Sequence, residues 1–278
     1  MALPDAPIGL QLYTLREHLG DARAAATLAE VRRLGYAHVE PMDTEQLARI
    51  APPCRDLDLG LRSCFYNWTI TTGNRALLAA VAPEAAPTHT LDDAIAAALD
   101  AGVTDLVFGY LLPPERETPD DYRRVADQVN RDHAAIRAAG LVPCYHHHAF
   151  EFEPLGADGL RGWDILTERV DWSVTRLQVD MFWLAVAGVD AVRFVGEHAA
   201  RLRSVHLKDL AALAAPAFDE RAVAPTAFRA VGAGVLDVAG FVAAAGRAGA
   251  VHYIVEQDAS PDALADVATS LRSLRARE

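Results

Sequence analysis

The segment CYHHHAFEFEP, residues 144–154, places three consecutive histidines shortly before two glutamates. Imidazole and carboxylate groups are the side chains that most often bind divalent metals and move protons. Successive side chains of a strand point to opposite faces, so three adjacent histidines cannot converge on one ion. The alternation puts His146 and His148 on one face, which we assign to a pocket, and His147 on the other, toward surrounding helices.

Three later apolar segments each carry one ionisable residue near their carboxyl ends. These residues are Asp180 in 175–182, His206 in 201–209 and Glu256 in 251–258, and Glu151 follows the histidine segment. Three carboxylates and an imidazole that meet in a buried place repel one another unless a cation lies among them. We therefore predict one divalent metal ion. Oxygen-rich ligands with one nitrogen suit manganese, magnesium or cobalt, and zinc is possible.

Each of these residues alone also fits a purely structural role. Asp180 could cap a helix, His206 could be a hydrogen-bonded core histidine, and Glu256 could belong to an ion pair. The metal hypothesis depends on all of them meeting at one end of one fold. The same alternation pairs Gln178 with Asp180 and Lys208 with His206 on shared strand faces.

The elements that would bring these residues together follow a regular alternation. Short apolar, β-branched runs alternate with segments whose apolar residues recur at helical spacing. The predicted strands are 7–13, 37–41, 59–67, 103–110, 141–148, 175–182, 201–209 and 251–258. The predicted helices are 21–35, an interrupted 44–58, 119–139, 162–169, 190–200, 237–249 and a final one.

Eight predicted strands that alternate with helices in 278 residues predict an α/β protein, a (β/α)8 TIM barrel with a single domain over residues 1–278. A doubly wound open sheet usually has a glycine-rich turn after its first strand, whereas this chain has QLYTLREHLG. Two long connections, 67–90 and 209–236, follow strand ends at the face where barrels build active sites. They could instead be simple surface insertions.

The formal charge is -12 at neutral pH, from 26 lysines and arginines against 38 aspartates and glutamates. This balance repels nucleic-acid phosphates and anionic lipids, so we expect neither nucleic acid nor a membrane as partner. Three widely separated cysteines argue against a disulfide framework. No signal peptide and no apolar run near roughly 18 residues is recognisable. We expect a cytoplasmic protein.

Several motifs together carry a family resemblance. QLYTLRE, YHHHAFEFEPL, GWDIL, LQVDMFWLAVAGVD, SVHLKDL, GAGVLD and YIVEQD resemble, in that order, the xylose isomerase-like TIM barrels, or sugar phosphate isomerase/epimerase family. The resemblance implies a single divalent metal held by Glu151, Asp180, His206 and Glu256. Glu153 or one of the histidines is an alternative to Glu151 as the first of these ligands. It also implies a sugar or polyol substrate and a homodimer or homotetramer.

Some positions depart from common patterns of the family. His147 stands where asparagine is frequent, Asn67 and Trp183 where histidines are, and Gly232-Ala233-Gly234 where GEG is. These differences leave the metal ligands intact and bear on the substrate. The residues expected to contact substrate are His146, His148, Trp183, Gln178, Asn67 and Glu40.

The resemblance implies proton abstraction beside a carbonyl, with Glu151 and Glu256 as bases on opposite sides of the substrate. Lys208 would stabilise the enolate charge, or else pair with Asp209. The resulting prediction is a metal-dependent sugar isomerase or epimerase. The alternative is a lyase of the same fold, an inosose-type dehydratase or 3-keto-glycoside β-eliminase. A DNA repair endonuclease of the AP type and a metal-free binding protein are less favoured.

Overall fold

Parallel strands form a nearly closed barrel in a computed structural model of the chain, which describes residues 6–20, 22–66, 90–212 and 215–276. In chain order the strands are β1 (Ile8–Gln11), β2 (His38–Glu40), β3 (Gly60–Leu61), β4 (Ser63–Phe65), β5 (Asp105–Phe108), β6 (Val142–His146), β7 (Arg176–Asp180), β8 (Leu202–Leu207), and, after two short strands defined below, β11 (His252–Val255). The sheet order is β3, β2, β1, β11, β8, β7, β6, β5, β4. Its two ends, β3 and β4, are halves of one strand on either side of Arg62.

Helices surround the barrel. They are α1 (Ala24–Leu34), α2 (Thr44–Asp56), α3 (Leu91–Ala101), α4 (Pro119–Ala138), α5 (Gly162–Arg169), α6 (Met181–Val186), α7 (Ala191–Glu197), α8 (Val238–Arg247) and α9 (Ala263–Arg275). The connection after β8 contains an antiparallel pair, β9 (Asp209–Leu210) and β10 (Phe228–Arg229). Each helix in the described part of the chain is too short or too polar to span a bilayer.

The predicted (β/α)8 barrel is confirmed. The differences lie at element ends and in α3 (Leu91–Ala101), a helix that was not predicted from the sequence. The segment predicted as strand 7–13 leaves the sheet after Gln11, where a 3₁₀ turn over Leu12–His18 begins. The strand predicted over 175–182 ends at Asp180, whose carboxylate caps α6. The helix predicted to be interrupted, 44–58, runs without a break through Pro52 and Pro53 to Asp56. Most of the connection 67–90, with Asn67, lies outside the described residues.

Local sequence signals set several helix ends. Thr90 and Thr118 each form a capping box with an aspartate three residues later, which satisfies free amides in the first turns of α3 and α4. Gly35 and Gly102 end α1 and α3 with φ of 109° and 73°, a conformation that only glycine adopts without strain. The chain therefore turns back into the sheet where these glycines occur.

Burial separates the molecule into two compartments. The apolar core, with residues such as Leu28, Val39 and Phe241, fills the space between the sheet and the helices. The barrel interior is polar instead. Glu40 on β2 contacts Gln178 on β7 and His206 on β8, strands that are far apart in the sheet, so these side chains meet across the interior.

Gly9 provides the space for one of the interior side chains. A Cβ atom at this position would overlap the imidazole of His38, which is buried on the neighbouring strand β2. The absence of a side chain on β1 is therefore a packing requirement of the barrel interior.

We expect Gly9→Ala to lower the free energy of unfolding by about 1–3 kcal/mol, because the new methyl group overpacks a closed space. Chemical denaturation measures the change. The matched control is Gly196→Ala in α7, where an added Cβ meets nothing within 4 Å. This control gains about 0.5–1 kcal/mol because alanine is the better helix former. Equal stabilities of Gly9→Ala and the unchanged protein would contradict the packing account.

Candidate metal centre and substrate pocket

Glu40 is the hydrogen-bonded centre of the polar interior. Its fully buried carboxylate accepts hydrogen bonds from Gln11 Nε2 at 2.8 Å, Gln178 Nε2 at 3.0 Å, the Ser63 hydroxyl and the ring of His206. Burial alone would raise the pKa of Glu40, but the charge of His206 and these donors outweigh it and hold the pKa below its ordinary value. Glu40 is thus an ionised anchor beneath the site.

His206 lies between two carboxylates. Its Nε2 is 2.7 Å from Glu40 Oε1 and its Nδ1 is 2.8 Å from Glu256 Oε2. Burial opposes protonation, yet the two carboxylates prevail and raise the pKa of His206 to about 10. Both ring nitrogens therefore act as donors when the imidazole carries its proton. For His206 to bind a metal through Nδ1, the ion must take the place of that proton.

Lys208 supplies a second positive charge. Its Nζ is 2.7 Å from Asp258 Oδ1, 2.8 Å from Glu256 Oε2 and 3.1 Å from Asp180 Oδ2. Burial disfavours the ammonium, but these carboxylates raise the pKa of Lys208 well above its ordinary value. The alternative of a Lys208–Asp209 pair is wrong. The Asp209 carboxylate instead accepts the backbone N–H groups of Gly232, Gly234 and Leu236.

Three buried residues form a group that could hold a metal ion. One ligand atom each from His146, Asp180 and His206 lies within 4.8 Å of the other two. His146 Nδ1 is buried and makes no hydrogen bond within the described residues. Asp180 uses Oδ1 to cap α6, through the amides of Phe182 and Trp183, while its Oδ2 makes no hydrogen bond and faces Lys208. His146 Nδ1 and the Asp180 Oδ2 that Lys208 contacts are donor atoms that fit a divalent cation.

Glu256 borders this group. Burial would raise its pKa, but Lys208 and His206 hold the pKa at about 2, so the carboxylate is ionised. Its Oε2 lies 2.8 Å from both His206 Nδ1 and Lys208 Nζ and so contacts both cations. The two residues predicted as ligands on β8 and β11, His206 and Glu256, therefore contact each other directly. A cation beside His206 would lie within reach of Glu256 as well.

His147 holds Asp180 in place from behind. Its ring lies among the aromatic side chains of Phe152, Trp163 and Phe194, on the helix side of the sheet, as the alternation predicts. Its Nδ1–H donates to the carbonyl of His148 at 3.2 Å, and its Nε2 accepts the backbone N–H of Asp180 at 3.2 Å. Burial lowers the pKa of His147 to about 3, so the ring is neutral and keeps this tautomer.

Glu151 is not brought into the group. Its carboxylate accepts the Tyr145 hydroxyl at 3.0 Å and the backbone N–H of His148 at 2.8 Å, and it does not line the pocket. Tyr145 is the neighbour of His146 on β6 and points to the opposite face. Burial raises the pKa of Glu151 to about 7. The structure therefore gives Glu151 contacts that position the turn of His148.

A cavity of about 550 Å³ opens above these residues, and the predicted site residues divide between its wall and its floor. His146, His148, Trp183, Lys208 and Glu256 line it. His148 Nδ1 and Trp183 Nε1 are buried without hydrogen-bond partners in the described part of the chain, so hydroxyl groups of a ligand could satisfy them. Glu40 and Gln178 lie in the barrel interior under His206 and do not line the cavity.

Several lining residues were not predicted from the sequence. They are Gln11, Tyr13, Met42, Asp43, Phe65, Tyr66, Tyr110, Glu220, Val223, Pro225 and Phe228. Those near the ends of β1, β2, β4 and β5 could have been predicted, because barrel sites form at the carboxyl ends of strands. For the residues in the connection 209–236, only the length of the connection indicated a position at the site.

Comparisons with known proteins support the fold. No family model and no curated protein matches the chain at the sequence level. A sugar phosphate isomerase/epimerase from Parabacteroides distasonis is similar in structure, with a TM-score of 0.73, 18% identity, and coverage of 97% of this chain and 93% of that one. The chain therefore has the barrel fold found in sugar phosphate isomerase/epimerases.

Two further solved structures with this fold carry different chemistry in their names. A probable 3-DHS dehydratase from Bacillus anthracis has a TM-score of 0.70 at 10% identity, covering 98% of this chain and 99% of that one. A 3-keto-D-glucoside 4-epimerase from E. coli has a TM-score of 0.63 at 14% identity, with coverages of 98% and 99%. At such identities the likeness extends to the fold and not to the reaction.

We expect manganese affinity to depend on His146 rather than on Glu151. His146→Ala removes one of three convergent donors and weakens manganese binding at least about tenfold, measured by calorimetric titration of metal-stripped protein. Glu151→Gln is the matched comparison, because it alters the residue predicted from the sequence at a place away from the group. It changes the affinity less than about threefold. A large loss with Glu151→Gln and none with His146→Ala would contradict this donor set.

Proposed function

We propose that the protein is a metal-dependent isomerase or epimerase that removes a proton next to the carbonyl of a keto-sugar or related polyol. The observation that carries the proposal is the approach of His146, Asp180 and His206 to one another at the base of a pocket, with the ionised Glu256 beside them. The proposal is compatible with the fold, which solved epimerase structures share.

The residues that would hold the ion are His146, Asp180 and His206, with Glu256 adjacent. When bound, a divalent ion polarises the substrate carbonyl and acidifies the neighbouring C–H bond. The mixed donor set of two imidazoles and a carboxylate is compatible with manganese, cobalt or zinc, and less so with magnesium. His147 fixes the backbone of Asp180, and Glu40 fixes the far nitrogen of His206, so the chain orients two of the three donors.

Glu256 is the general base of the proposed reaction. Its carboxylate faces the pocket and is deprotonated at neutral pH because its pKa is held at about 2. A carboxylate with so low a pKa is a weak base, so most of the driving force must come from acidification of the substrate C–H bond. The proton moves from the substrate carbon to the Glu256 carboxylate and returns from there to the neighbouring carbon, while the hydroxyl proton passes to the former carbonyl oxygen; this gives isomerisation. Epimerisation needs a second proton donor on the opposite face of the substrate.

Lys208 stabilises the charge that this proton transfer creates. Its ammonium lines the same pocket, 2.8 Å from Glu256, and lies 5.4 Å from the centroid of the Trp183 ring. A fixed positive charge in a site that excludes water stabilises an enolate oxygen strongly, because it needs no reorganisation when the charge develops. Asp258 and Glu256 hold the ammonium at the pocket.

A lyase is the second candidate, and the position of Glu151 favours it. Epimerisation by two carboxylates requires one on each side of the substrate, and Glu151 bonds Tyr145 and His148 outside the pocket. Elimination requires one base and one acid. Glu256 removes the proton, and Lys208 protonates the leaving oxygen attached to the β carbon as the C–O bond breaks. Inosose-type dehydration and 3-keto-glycoside elimination have this pattern.

Proton NMR in heavy water tests the proposal with manganese-loaded protein and a panel of ketoses, inososes and 3-keto-glycosides. Deuterium incorporation next to the carbonyl without loss of a group supports the isomerase or epimerase. Loss of water or of an aglycone supports the lyase. We expect Glu256→Gln to slow exchange by about 10²–10⁴-fold, because it removes the base.

The control for this substitution is Glu153→Gln, which makes the same chemical change at an exposed glutamate outside the pocket. It keeps the full exchange rate. Absence of exchange with every ketone in the panel, or an unchanged rate in Glu256→Gln, would contradict the proposed reaction.

A further inference from the structure

The pocket has two chemically different sides. The groups proposed for chemistry come from β6, β7, β8 and β11 or directly follow them: His146 and His148, Trp183, Lys208 and Glu256. These strands are consecutive neighbours in the sheet. The polar side is therefore one continuous arc of the barrel rim.

The opposite arc is dominated by aromatic and apolar side chains. Tyr13 follows β1, Met42 follows β2, and Phe65 and Tyr66 stand at the end of β4. Tyr13 is 40% exposed although it lies at the pocket, and the Arg16 guanidinium covers part of its ring, 4.1 Å from the centroid, so the remaining surface is available to a ligand. Pockets with a few polar groups and a wide apolar wall bind ligands that have both characters.

The long connection after β8 extends this apolar wall. It contributes Val223, Pro225 and Phe228 to the cavity, and the Phe228 ring stacks on Phe182 with centroids 4.5 Å apart. At a volume of about 550 Å³ the cavity is of the size that encloses drug-sized ligands, with room beyond a small hydroxy-ketone.

Glu220 fastens the connection to the other side of the barrel mouth. Its carboxylate pairs with Arg116 through two contacts at 2.9 and 3.0 Å and accepts the Tyr110 hydroxyl. The Arg116 guanidinium in turn lies 3.7 Å from the centroid of the Phe150 ring. These contacts are mostly buried, which fixes the apolar residues of the connection over the pocket.

The charges of the pocket oppose an anionic substituent. Among the described lining residues four are acidic, Asp43, Glu256, Asp258 and the Arg116-paired Glu220. The only lysine or arginine among them is Lys208, whose ammonium already contacts three carboxylates. A phosphate ester carries about -1.5 to -2 charges at neutral pH and needs free cationic donors. Such an ester would meet mostly carboxylates here.

We propose that the substrate is an uncharged polyol ketone carrying an apolar, flat substituent, as in an aryl glycoside, and that it is not a phosphate ester. The polyol lies against His148, Trp183 and Lys208, and the substituent lies against Tyr13, Phe65 and the connection residues. The polyol ketone part of this assignment rests on the proposed function. The apolar substituent rests on the residues that line the pocket.

Binding of three glucosides without a reactive carbonyl tests this substrate class apart from turnover. Calorimetric titration of manganese-loaded protein compares methyl β-D-glucoside, phenyl β-D-glucoside and methyl glucoside 6-phosphate. We expect the phenyl compound to bind at least about tenfold more tightly than the methyl compound, because a buried ring leaves water. The phosphate binds at least about tenfold more weakly than the methyl compound.

Two variants and one control show which side chains of the pocket cause these preferences. Tyr13→Ala lowers the phenyl-over-methyl preference at least about threefold, whereas Leu99→Ala, the same kind of truncation at an exposed apolar residue of α3, leaves the preference unchanged. Glu220→Gln removes a negative charge and releases Arg116 from an ion pair, so it reduces the penalty for the phosphate.

Equal binding of the phenyl and methyl glucosides, phosphate binding as tight as that of the methyl compound, or no detectable binding of any of the three would overturn the substrate class. These results are independent of deuterium exchange. The glucoside preferences without exchange on any ketone would contradict the proposed reaction and leave the ligand class standing.

Discussion

Buried negative charge is the constraint on which the rest of the site depends. Four carboxylates, of Glu40, Asp180, Glu256 and Asp258, meet two cationic groups, Lys208 and protonated His206. The excess of two negative charges with His206 protonated, and of three once an ion replaces the His206 proton, favours a further cation among these side chains. Burial and the nearby Glu256 raise the pKa of Asp180 and raise that of Asp258 to about 6, as expected where carboxylates outnumber cations.

The barrel can hold this concentration of charge because its apolar core lies between the sheet and the helices, apart from the polar interior. Apolar packing between sheet and helices supplies the stability, so the interior can hold Glu40 and its donors. Glu40 bonds Gln11 on the neighbouring strand β1 and reaches Gln178 and His206 on strands farther round the sheet. Removing one partner of such a buried pair leaves an uncompensated charge, which is much more costly than the pair itself is stabilising. The polar side chains of the interior therefore depend on one another, and no single one of them can be replaced without leaving a partner unpaired.

The sequence predicts the part of this architecture that depends on local periodicity. The barrel and most helix bounds follow from the alternation of β-branched runs with segments of helical spacing. The meeting of Asp180, His206, Lys208 and Glu256 follows from side-chain alternation along the strands. Glu151 shows where this reasoning ends. It lies in the turn beyond β6, and the direction of a side chain in a turn is set by its hydrogen bonds rather than by alternation.

Contacts across the barrel were beyond prediction for a related reason. Gln11, Ser63 and Glu40 are ordinary polar residues in the sequence, and only the closure of the sheet brings them to His206 and Gln178. The apolar wall of the pocket depends likewise on how the connection 209–236 folds back. Asp209 holds the end of that connection through three backbone amides, and Glu220 holds its middle through Arg116. The connection that closes the pocket is thus tied down by charges at both places.

The most direct test of the charge account is the anomalous scattering of manganese in crystals grown with an excess of the ion. The account predicts a peak within coordination distance of His146, Asp180 and His206, with the Lys208 ammonium moved away from Asp180. A Lys208 still in contact with Asp180, Glu256 and Asp258, and no manganese peak at the group, would contradict it.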